Sequence, residues 1–209
     1  MQKTSYTSRI KYFFRTPRGT RAGLWGAFFL YWASLAPFIL FIGLYYESIN
    51  LRGAQIGQLG SLRKLVSVAG SILLAFLSDT LRRRKLILHA CIIGMITALL
   101  IFPHAASFAT LLPIVILYSI FLSPTNAILD ETTLKALDNP RDYSKIRMGG
   151  SIGWGIVVLI TGWLLDDPTV NMTVIFYLHI FFLILLLALT VFLPEADRAP
   201  GTSHRKSIL

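Results

Sequence analysis

The chain has 209 residues, of which 55% are hydrophobic and only 14% charged. A soluble domain carries nearer about 25% charged residues, so these values, with a mean hydropathy of +0.65, point to the membrane. The net charge of +10 would suit a nucleic-acid binder, but its placement along the chain excludes that reading.

In chain order, residues 1–21 form a basic, aromatic tail ("RIKYFFR") without an acid or a small-residue cleavage site, read as an uncleaved cytoplasmic segment. Six apolar runs follow at roughly 22–46, 56–78, 86–103, 107–128, 148–165 and 172–193. Each approaches the about 20 residues that cross the hydrocarbon core. Residues 22–193 therefore read as one polytopic α-helical domain, and 194–209 as a cytoplasmic tail or the start of a linker. Of the 20 basic residues, all but Arg52, Arg63 and Lys64 fall in the two tails and the loops after spans 2 and 4. That bias predicts both termini on the cytoplasmic side of the cell membrane, with the basic segments against anionic lipid rather than DNA.

Chemistry is sparse. Cys91 is the single cysteine, and His89, His104, His179 and His204 lie on separate segments without ligand spacing. No phosphate-binding glycine loop is present. Neither a metal, a cofactor nor an enzymatic activity is expected.

Charged residues near apolar spans carry the functional information, because one at the bilayer centre costs about 2.5–3.5 kcal/mol on insertion scales. Arg63 and Lys64 lie 16 and 15 residues before Asp79, which marks the cytoplasmic end of span 2. At 1.5 Å per residue Arg63 is about 24 Å from that end, in the outer third of the membrane. Both side chains can snorkel to the outer headgroups; alternatively Arg63 lines a solvated path and draws an anionic or hydroxyl-rich solute. Asp130 and Arg147 flank the loop between spans 4 and 5 and would lie level in an antiparallel hairpin. They read either as an interfacial ion pair or as two groups sharing a polyhydroxyl ligand. Trp154, two helical turns beyond Arg147, shares its face about 10 Å deeper. Guanidinium and indole on one wall can hold a sugar or aromatic solute by hydrogen bonds and stacking. Gly149 with Gly153, and Ser151 with Gly155, are small-xxx-small pairs expected to admit a neighbouring helix.

The stretch "AFLSDTLRRRKLIL" resembles motif A of the major facilitator superfamily, through Leu77, Asp79, Arg83, Arg84 and Lys85, with Ala75 and Arg82 in place of its glycines. The stretch "YSKIRMGGSIGWG" is similar to the span-5 signature of the lactose permease-like oligosaccharide/proton symporters, through Tyr143, Arg147, Gly150, Gly153 and Trp154. Nucleoside and aromatic-acid permeases share much of the pattern. The resemblance covers the six spans and implies the N-terminal six-helix half, a 3+3 inverted repeat, of a twelve-helix transporter. It further implies that Arg147 hydrogen-bonds the solute, Trp154 stacks on it, and Asp79, Arg83, Arg84 and Lys85 act in the conformational switch. The family's span-4 carboxylate falls at Ala127, so Asp130 is a replacement, and Arg63 has no charged counterpart, which suggests a different charge preference.

The expected function is secondary transport, by symport in the resembled branch, of a sugar-like solute, nucleoside or small organic acid. The partners are the bilayer, the solute and a second six-helix half, from another copy or another chain. The alternatives are a non-transporting membrane subunit and a truncated transporter inactive alone.

Overall fold

The computed structural model describes residues 12–14, 16–81, 84–137 and 139–193, and within 74–81 the backbone alone. Among the described residues six long helices follow one another: α1 (Pro17–Ser48), α2 (Gly53–Leu81), α3 (Arg84–Ile101), α4 (Phe108–Ala136), α5 (Tyr143–Leu165) and α6 (Val174–Phe192). α1 and α3 to α6 are long and apolar enough to cross a membrane. α2 has the length, at 29 residues, but Arg63 and Lys64 among glycines, serines and glutamines dilute its apolarity.

Local chemistry extends three helices beyond their apolar runs. α1 starts at Pro17, whose fixed φ suits a first helical position, after Thr16 accepts from the Gly19 amide at 3.1 Å. α4 opens on a capping box between Ser107 and Thr110 and runs past its apolar segment to Ala136. α5 begins at Tyr143, five residues before its apolar run, behind the short 3-10 turn Pro140–Asp142. These extensions put Asp130 and Arg147 on helices rather than in a loop. At the other end of α1, Asn50 (φ 62°) adopts the left-handed conformation that asparagine tolerates and turns the chain into α2.

α1 packs most extensively on α5 and also on α6, while α4 packs on α2 and α3; α1 meets α4 and α3 meets α6. Exchanging α1 with α4, α2 with α5 and α3 with α6 maps these contacts onto one another, although α2 also touches α3 more extensively than α5 touches α6. Two three-helix units thus interlock, each lending its first helix to the other, as a 3+3 repeat requires. The core lies along α1, where Ala27, Phe28, Ala33 and Ala36 are fully buried, and continues into an aromatic cluster. There Phe38 lies 4.6 Å from Tyr118 between ring centroids, and Phe102 stacks on Phe176 at 5.2 Å.

Ion pairs gather the basic segments at one end. Arg21 at the head of α1 meets Asp142 before α5 at 3.3 Å, and Arg84 at the head of α3 meets Glu131 near the end of α4 at 2.9 Å. Lys85 donates to the carbonyls of Val191 and Leu193 at 2.7 and 2.8 Å. A cation there complements the negative end of the α6 dipole. At the opposite end the Tyr45 hydroxyl donates to the Phe102 carbonyl, tying the α1–α2 turn to the end of α3. Asp167, in the α5–α6 loop, accepts from the Thr169 amide and hydroxyl, which holds its carboxyl below the usual carboxylate range.

Candidate functional site

α5 presents two unlike faces. On one, Gly149, Gly150 and Gly153 are buried against α1. A Cβ on Gly149 would meet the Trp25 carbonyl at 2.8 Å; on Gly153 it would collide with the Phe29 carbonyl, and on Gly150 with the Trp32 ring. Only glycine allows the two backbones to approach this closely. The Gly149–Gly153 pair therefore packs as its spacing predicts. The Ser151–Gly155 pair does not: Ser151 is exposed, and nothing lies within 4 Å of a Cβ on Gly155. Those positions fall on the far side of the helix from α1, about 100° per residue away from the seam.

An adjoining face carries polar groups at helical spacing. Tyr143, Ser144, Lys145, Arg147, Met148 and Ser151 line an open groove of about 510 Å³. At its head the Tyr143 hydroxyl donates to Asp130 Oδ1 at 2.6 Å and accepts from Arg147 Nη1 at 2.8 Å. The second carboxylate oxygen of Asp130 accepts from Asn126 Nδ2 at 3.3 Å. Arg147 and Asp130 themselves stand 3.7 Å apart, beyond direct hydrogen-bond reach, so the phenol bridges them. The guanidinium also sits 5.9 Å from the centre of the Tyr143 ring, within cation–π range.

The sequence correctly sets Asp130 level with Arg147, and the hairpin delivers them to one cluster. Trp154 stands apart from it. Two turns farther along α5, it turns its ring edge toward Trp32 of α1, with centroids 6.0 Å apart and planes at 68°. It also packs beside Ala33, Ala36 and Val157. Arg63 lies elsewhere, half-buried on α2 within electrostatic reach of Tyr46 and Tyr118, while Lys64 is exposed. Of the motif A residues, the Asp79 side chain and Arg83 fall outside the described residues; Arg84 and Lys85 make the contacts given above. The sequence names Tyr143 only as a motif match without a role, and Asn126 is not singled out there. Each sits four residues from its charged partner, the spacing that brings helical side chains together, so the signal was available.

Asp130 and Arg147 are partly exposed, at 24% and 46% of their side chains. An ion pair so accessible contributes on the order of 0–1 kcal/mol to stability. It therefore does little to hold the helices together, and Arg147 of the pair lines the groove.

The sequence matches the MFS_1-like family over residues 22–206. It is 28% identical over 183 residues to a maltose permease of Geobacillus stearothermophilus, a stretch covering 87% of this chain and 46% of that protein. Its fold is similar to the crystal structure of the nucleoside transporter NupG, with a TM-score of 0.76 at 18% identity. That superposition covers 88% of this chain and 47% of NupG, and a point variant of NupG superposes with a TM-score of 0.74. The chain spans about half the length of the relatives it matches. It belongs to the MFS_1-like family of the major facilitator superfamily.

Proposed function

We propose that this chain forms one half of an alternating-access transporter for a small, hydroxyl-bearing solute: a sugar, a nucleoside or a small organic acid. The Asp130–Tyr143–Arg147 cluster at the head of an open groove carries the reading. It joins a carboxylate and a guanidinium through a hydroxyl, the donor and acceptor set that a polyol engages. The names of the relatives, a maltose permease and a nucleoside transporter, support a solute of this class.

In this reading Arg147 hydrogen-bonds the solute and Asp130 orients the guanidinium. Trp154, with the Trp32 ring inclined at 68° to it, offers an apolar corner for a ring deeper in the membrane. Arg63, toward the other end, biases the path toward electron-rich solutes. A second six-helix half, from another copy or another chain, faces this one across the groove, and the two rock about the bound solute. Asp79, Arg83, Arg84 and Lys85 act in that switch, the last two from the end where Arg84 holds Glu131 and Lys85 caps α6. Symport with an ion drives the movement. The gathered basic end faces the cytoplasm, with both termini there, in the cell membrane.

Uptake of radiolabelled maltose, uridine and lactate into proteoliposomes tests the reading. Saturable uptake of one of them, lost in Arg147→Ala at equal reconstitution, is the expected result. Saturable uptake that persists at the wild-type rate in Arg147→Ala would remove the cluster from the solute path.

A further inference from the structure

Resting on that reading, we propose that the Tyr143 hydroxyl is an internal stand-in for a solute hydroxyl, so that a solute binds by displacing it from between Asp130 and Arg147. A hydroxyl can donate once and accept twice. Tyr143 uses this capacity as a polyol would, donating to the carboxylate at 2.6 Å and accepting from the guanidinium at 2.8 Å. Both bonds are charge-assisted and short. At 3.7 Å Arg147 and Asp130 are held apart with the phenol oxygen bonded to both, whereas a direct pair would close to about 2.8 Å.

The phenol is also placed to leave. Tyr143 is the first residue of α5, preceded only by the short 3-10 turn Pro140–Asp142, and its side chain is partly exposed. Its ring rests edge-on against Phe28 at 6.4 Å and borders the open groove, into which it can swing. The Asn126 amide holds the second oxygen of Asp130 independently of Tyr143, so the carboxylate keeps its orientation when the phenol departs. The arrangement satisfies both charges while the site is empty. It also sets a threshold: a solute must present a hydroxyl able to replace both bonds, and an apolar molecule of the same size cannot.

Competition with an internal ligand weakens apparent affinity by the fraction of time that ligand is in place. Tyr143→Phe keeps the ring and its contact with Phe28 while removing the competitor. The expected result is tighter binding of maltose or uridine, by roughly tenfold or more in Kd, as loss of the two charge-assisted bonds on the competing side implies. The test is calorimetric titration of maltose and of uridine into the detergent-purified wild type, Tyr143→Phe and Arg147→Ala. Circular dichroism on each sample verifies the fold. Weaker or unchanged binding in Tyr143→Phe, with binding lost in Arg147→Ala, overturns the stand-in and leaves the solute site standing, with Tyr143 as a positioning residue. Binding equal in the wild type and Arg147→Ala, or absent from all three proteins, removes the site itself and the stand-in with it.

Discussion

The two faces of α5 differ in what they ask of the sequence. The face toward α1 is made of glycines because backbone meets backbone there, and a single methyl group would strike a carbonyl or an indole. The adjoining face carries Arg147 and Ser151 beside open space, and Tyr143, two turns before Gly150, stands where the two faces meet, against Phe28 of α1. Stability resides on the first face, through close packing that tolerates almost no added volume. Binding capacity resides on the second, where exposed charges contribute little to stability and keep their hydrogen-bonding groups available. The rigid seam lets the polar face hold its geometry, as a site on a packed helix does better than one on a loop.

Substitutions on the two faces should separate these roles. The largest effect belongs to Gly153→Val, which drives a branched side chain into the Phe29 carbonyl. Overpacking should cost about 3 kcal/mol, seen as a clear drop in the thermal midpoint of the detergent-solubilised protein. A variant as stable as the wild type would mean that α1 and α5 do not approach as described. Next comes Arg147→Ala, expected to weaken solute binding by about 2 kcal/mol or more, at least roughly thirtyfold and enough to remove a detectable titration signal, as loss of hydrogen bonds from a charged group implies.

Trp154→Phe follows, with a loss of roughly threefold to tenfold in solute affinity if the ring stacks on the solute. A parallel fall in thermal midpoint without an affinity change would assign Trp154 to packing against Trp32 alone. The smallest effect is expected for Gly155→Ala, which has open space around it and gains helix propensity. Its thermal midpoint should match or slightly exceed that of the wild type. A marked loss would mean that a partner covers this part of α5.

Much of this was legible in the sequence. Hydropathy located the six helices, and the symmetric placement of Asp130 and Arg147 about their loop correctly foretold that they meet. The Gly149–Gly153 spacing pointed to a close helix contact. Other features depend on which helix lies opposite, and a single chain pattern does not carry that. Gly155 has the same spacing from Ser151 as Gly153 from Gly149, yet α1 passes along the other side. Trp154 shares a helix face with Arg147 by count, but Trp32 draws its ring away from the groove. Helix ends were underestimated because capping, not hydropathy, sets them: Thr16 with Pro17, and the 3-10 turn before Tyr143, add the turns on which the charged residues sit. Tyr143 was hidden in a motif position, its hydroxyl meaningful only once α4 brings Asp130 alongside.

The most direct test of the claim that the polar face binds and the glycine face holds is made on Arg147→Ala alone. Titration calorimetry with maltose and uridine and thermal unfolding are run on the same detergent-purified sample as the wild type. The account predicts that binding disappears while the unfolding midpoint stays within about 2 °C of wild type, as removal of a half-exposed charge implies. Binding retained at wild-type strength, or an unfolding midpoint that falls well below that range, would contradict it and make Arg147 an anchor of the α4–α5 hairpin.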